Sequence, residues 1–95
     1  MPYIKPEYRM RINTQIDQLV DAICSQLLVG GDRDGTLNYA ITRLINRLYP
    51  VEKYSDYNAA IGVLECAKAE LYRRRVAPFE DDKINYNGDV RPDIY

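Results

Sequence analysis

The sequence predicts an all-α protein: three antiparallel helices in a small single domain over residues 1–95, with extended N- and C-terminal arms. Three observations predict it. Apolar residues recur close to every 3.6 positions in three separate stretches. Breaker residues fall between and after those stretches, at Gly30-Gly31, Pro50 and Pro78. The link between the second and third stretches is short, which favours antiparallel neighbours.

Residues 1–12, MPYIKPEYRMRI, read as an arm in which Pro6 suits the first position of one helical turn. Tyr3, Ile4 and Tyr8 are its candidates for packing on the core or on another subunit. The first helix is expected at about 13–29. Asn13 is its N-cap candidate, and Ile16, Leu19, Val20, Ile23, Leu27 and Leu28 form a buried stripe opposite Gln15, Asp17, Gln18 and Asp21. Gly30-Gly31 ends it. The turn GGDRDG lacks the Gly-Lys-Ser/Thr and the preceding strand of a phosphate loop. The second helix is expected at about 36–49, capped by Asp34 or Thr36, with Leu37, Ala40, Ile41, Leu44, Ile45 and Leu48 buried. The third, at about 55–77, starts at the N-cap candidate Ser55. Its stripe is Ala60, Ile61, Leu64, Ala67, Leu71 and Val76, and it finishes with Arg73, Arg74 and Arg75 where the carbonyl end favours cations. Residues 78–95 have no helical stripe, and Asn87-Gly88 signals a turn, so an arm or small hairpin is expected there.

Composition removes several functions. The chain has no histidine, which excludes Ser-His-Asp and Cys-His catalysis. Cys24 and Cys66 alone make a poor zinc site and read as free thiols. Glu80-Asp81-Asp82 lacks the alternating ligands of a calcium loop. No catalytic residue, metal or cofactor is therefore assigned. A net charge of -1 argues against general nucleic-acid binding, which needs many phosphate-neutralising Lys and Arg. No signal peptide or membrane span is visible, so a cytoplasmic protein is expected. Nine tyrosines against one Phe favour interfaces and ligand platforms. A core from three helices this short is thin, so a homo-oligomer is expected.

The candidate ligand-binding residues are Asn38, Tyr39, Arg43, Asn58, Glu65, Lys68, Tyr72 and Arg73. Asn58, Glu65 and Tyr72 are seven apart and share one helical face, with Gly62 beside them to admit a backbone or a ligand. Asn38 and Arg43 belong to a polar band on the second helix, with Tyr39 next to it. If the two helices lie side by side, Arg43 and Glu65 pair in a bidentate contact. The plain reading of both bands is an interhelical polar network or solvent-facing surface. The functional reading has tyrosines stacking on a base, basic groups taking phosphates and asparagines bonding polar edges.

The stretches YIKPEYR, LNYAITRL and NAAIGVLECAKAELYRRRVAPFEDDKINYNGDV resemble a family of small uncharacterised proteins of bacteria, bacteriophages and prophages. The resemblance implies a setting in the bacterial host cell and no fixed chemistry. In size and setting the chain is similar in type to small phage proteins that sequester cyclic nucleotide signals of host defence. The expected function is thus non-enzymatic binding of a small anionic or nucleotide-like ligand. The alternative is an interaction or inhibitor module that holds a host protein through the tyrosine-rich arms, at Tyr3, Tyr86 or Tyr95. A small hydrolase or lyase using Glu65 with Arg43 and Tyr72 is a third reading.

Overall fold

A computed structural model describes residues 2–50, 52–91 and 93–94. The protein is all-α, with three helical stretches and extended ends, as the periodicity predicts. Helix α1 spans Pro6–Leu28 and α2 spans Arg33–Leu48. The third stretch runs from α3 (Tyr54–Leu71) through a π-helical turn (Tyr72–Val76) into α4 (Ala77–Asn87). By its internal packing the chain divides into two compact units, Pro2–Ala60 and Ile61–Tyr95.

In the first unit, α1 begins well before Asn13. Pro6 occupies the first turn, where its missing N–H costs nothing, and Glu7 complements the positive helix end. No breaker lies between Pro6 and Asn13, so the helix runs through most of the expected arm. Arg9 Nε donates to the Ile4 carbonyl at 2.6 Å and ties down the preceding segment.

The turn between α1 and α2 is built from two motifs in succession. Gly30 sits at φ +94°, where an L side chain is strained. This lets the Gly31 N–H donate to the Gln26 carbonyl at 2.8 Å and the Gly30 N–H to the Leu27 carbonyl at 3.4 Å, the double closure of a Schellman ending. Asp32 then caps α2, accepting the Gly35 N–H at 2.9 Å. The cap is therefore Asp32 rather than Asp34 or Thr36, because the helix starts three residues earlier than the apolar periodicity indicates. Four residues, 29–32, thus reverse the chain and set α1 and α2 antiparallel.

In the second unit, Pro78 does not stop the helix. A proline ring clashes with the carbonyl four residues back and leaves it without a donor. Here the turn ahead of Pro78 widens, with the Ala77 N–H donating to the Tyr72 carbonyl five residues back. The wider turn accommodates the ring, and the helix continues to Asn87, where Gly88 at φ +89° ends it. Tyr72 Oη reaches across this turn to donate to Glu80 Oε2 at 3.2 Å. Asn87-Gly88 therefore marks a helix terminus, not the centre of a hairpin.

The apolar stripes are not covered as the periodicity suggests. Among the described residues only Ala60 is buried, while Leu28 and Leu48 are 88% and 71% exposed. The cause is visible in the first unit. Each helix carries apolar residues over a wider arc than the strip it turns toward its neighbour, so much of each stripe looks outward.

Two measurements check this account. Asp32→Ala and Gly30→Ala are each expected to lower stability by about 1 kcal/mol in chemical denaturation, and two unchanged midpoints would remove the turn from the folding argument. Gly62 lies inside α3, where an added Cβ meets nothing within 4 Å. Gly62→Ala is expected to raise stability by about 0.5–1 kcal/mol, whereas a loss would show that something packs closely there.

Candidate functional site

A cleft of about 500 Å³ lies between α1 and α2, wholly within the first unit. That volume is in the range of small-molecule sites. Its α1 wall is Leu19, Ala22, Ile23 and Gln26; its α2 wall holds Thr36, Tyr39, Ala40, Arg43, Leu44 and Arg47. The spacing explains the assembly. Thr36, Ala40, Arg43 and Arg47 follow one another at intervals of four, three and four, so they form one line along α2. The antiparallel turn lays this line against α1. At the turn end, Thr36 Oγ1 lies 3.4 Å from Gln26 Oε1 and donates to it.

The floor is apolar and one rim is cationic. Arg43 Nη1 donates to Tyr39 Oη at 3.4 Å, which holds the phenol beside the guanidinium. Among the described residues the ion pairs are Arg33–Asp34, Lys68–Glu65, Arg73–Glu70 and Arg91–Asp93. None involves Arg43 or Arg47. Two like charges four residues apart on a helix repel by a few tenths of a kcal/mol, roughly. An anion placed between them removes that cost and gains charge-assisted hydrogen bonds. The described lining has no carboxylate or thiol, so it offers an anion site more readily than proton transfer near neutral pH.

Of the residues singled out from the sequence, Tyr39 and Arg43 line this cleft. Asn38 lies on the opposite side of α2 and accepts from Thr42 Oγ1 at 3.1 Å. Asn58 is exposed on α3 in the first unit. The other four belong to the second unit. Glu65 pairs with Lys68 at 3.9 Å, Tyr72 bonds Glu80, and Arg73 donates to both oxygens of Glu70 at 3.2 and 3.3 Å. Arg43 and Glu65 thus each engage a neighbour on their own helical stretch. The sequence reading missed Gln26, Thr36, Arg47 and the α1 wall. Their signal was the four-three-four line on α2 together with the short GGDRDG turn, which fixes α1 as the neighbour of α2.

The chain belongs to a family described as a domain of unknown function (DUF6899), whose family model matches residues 1–90. Neither the curated proteins nor the solved structures contain a significant match. Among the described residues, no helix is long and apolar enough to cross a membrane.

The Tyr72–Glu80 contact gives a pH signature. The hydrogen bond to Glu80, and then the charge of Glu80, raise the Tyr72 pKa above its ordinary 10.0. A raised pKa means the contribution of this contact is complete below pH 10 and is lost as pH climbs through the folded-state value. Ring-carbon NMR is expected to show Tyr72 ionising at higher pH than a free tyrosine, and Glu80→Ala is expected to bring it back toward 10.0. An unmoved titration in that variant contradicts the assignment.

Proposed function

We propose that the protein binds a small anionic, nucleotide-like molecule in the cleft between α1 and α2 and performs no chemistry on it. The observation that carries this reading is the pair of guanidiniums, Arg43 and Arg47, which have no carboxylate partner among the described residues at the edge of an apolar cleft. A phosphate bridges Arg43 and Arg47, and Thr36 and Gln26 offer hydrogen bonds at the other end. The apolar floor of Leu19, Ile23 and Leu44 takes a flat or apolar body, with the Tyr39 ring at its margin. Tyr39 and Arg43 remain from the original candidates, with Arg47, Thr36 and Gln26 added.

The resemblance to small proteins of bacteria and their phages supplies a role for such a site. Stoichiometric binding in the cytoplasm of the host cell withdraws a nucleotide signal of host defence without turning it over. The absence of histidine and of any carboxylate in the described lining supports binding over catalysis.

Thermal denaturation against mononucleotides, cyclic nucleotides and inorganic phosphate tests the proposal. A ligand at a hundred times its Kd stabilises the folded state by about 2.7 kcal/mol. Arg43→Ala and Arg47→Ala are each expected to weaken the responding ligand roughly 10- to 100-fold, the value of a charge-assisted bond. Glu65→Gln is expected to leave it unchanged. No stabilisation by any member of the panel at millimolar concentration, or full binding by the Arg43/Arg47 double variant, rejects the cleft.

An interaction module that holds a host protein is favoured by the exposure of Tyr3, Tyr54, Tyr57 and Tyr86. Tyr95, also expected to contribute, lies outside the described residues. Capture of a host protein that needs these tyrosines, and that survives Arg43→Ala, separates the two readings.

A further inference from the structure

The two ends of the α1–α2 cleft differ in charge, and the difference selects among anions. The cations of the described lining, Arg43 and Arg47, stand at one end and one helical turn apart. The α1 wall is uncharged, and the other end holds the neutral pair Thr36 and Gln26. Seven positions separate Thr36 from Arg43, about 10 Å along α2. Ala40 fills that step, with Ala22 and Ile23 on the α1 side. One phosphate therefore meets two cations, and a second phosphate further along the cleft meets none. An ionised group set on the apolar stretch loses its water and gains no partner there.

The available donors discriminate further. Arg43 gives Nη1 to Tyr39 Oη at 3.4 Å, which leaves its Nε–Nη2 edge for a ligand. Arg47 forms no ion pair among the described residues. Each guanidinium edge grips a pair of oxygens. A phosphate monoester has three terminal oxygens, so it offers an oxygen pair to both arginines. A phosphodiester has two, which make a single pair. Charge gives the same order. A monoester carries nearly two negative charges at neutral pH and a diester one. At the neutral end the Thr36 hydroxyl donates to Gln26 Oε1, leaving the Nε2 hydrogens for an acceptor on a ring.

We propose that the occupant is a nucleoside monophosphate, its terminal phosphate held between Arg43 and Arg47 and its base toward Thr36 and Gln26. This rests on the cleft as the binding site and narrows what it takes. A cyclic phosphodiester loses one oxygen pair and one charge. A triphosphate gains nothing from its added charge, because its other phosphates have no cation in the described lining. The charged and titratable groups facing the phosphate are Arg43, Arg47 and Tyr39 from α2, with none from α1. Binding then follows the second ionisation of the phosphate itself, near pH 6.

Isothermal titration calorimetry of the full chain tests this with the 5′-monophosphates of the four common ribonucleosides, their 3′,5′-cyclic forms and their triphosphates. At least one monophosphate is expected to bind roughly 10- to 100-fold more tightly than its cyclic form, the value of a further charge-assisted contact. It is expected to bind at least as tightly as its triphosphate. Its Kd is expected to rise about fourfold from pH 7.5 to pH 5.5 as the phosphate takes up a proton, while the Kd of the cyclic form stays level. A cyclic form held as tightly as its monophosphate, a triphosphate held more tightly, or a monophosphate Kd that ignores pH overturns the monoester. The cleft still stands as the site in each of those cases if Arg43→Ala weakens the ligand that binds. Silence from the whole panel at millimolar concentration rejects the cleft and the monoester together.

Discussion

The reversal at residues 29–32 is the constraint on which the first unit depends. The Gly31 N–H closing on the Gln26 carbonyl at 2.8 Å ends α1, and the Asp32 carboxylate starts α2 one residue later. With so little chain between them, the helices have no choice of neighbour. That choice decides which line of α2 faces α1, hence that Thr36, Arg43 and Arg47 meet Gln26, Ile23 and Leu19. It also decides which apolar residues are left over. The cleft and the uncovered face are two results of one turn geometry.

The fold class was legible because three periodic stretches separated by breakers leave few alternatives. Its limits were less so. Asn13 looked like a cap, yet Pro6 outcompetes it because a proline at the first helical turn costs nothing and no later residue interrupts the helix. Pro78 looked like a stop, yet its effect depends on the width of the preceding turn, which local sequence rules do not specify. The cleft was half legible. Tyr39 and Arg43 were visible as an aromatic beside a cation on one helix. The rest was hidden because the reading paired α2 with α3 through the polar bands, when the shorter connection to α1 carries the stronger geometric information.

Burial shows where sequence periodicity stops being informative. A period of 3.6 states that a helix has an apolar side, not that its own chain supplies the cover. For a chain of 95 residues whose described part buries Ala60 alone, the stripes on α1 and α2 describe a requirement. The net charge of -1 does little to oppose association through such stripes.

The widened turn at Tyr72–Val76 has a consequence for heredity. It holds one residue more than α-helical winding needs, so everything after it is turned by about 100° about the axis. The side chosen by Leu64 and Leu71 is thereby uncoupled in phase from the side chosen by Phe79 and Ile84. Loss of a single codon within the arginine triplet would remove the extra residue and leave α4 facing as before, but even winding would then drive the Pro78 ring into a carbonyl of the preceding turn. For the segment from Arg73 to Arg75, length is therefore a stricter inheritance than charge.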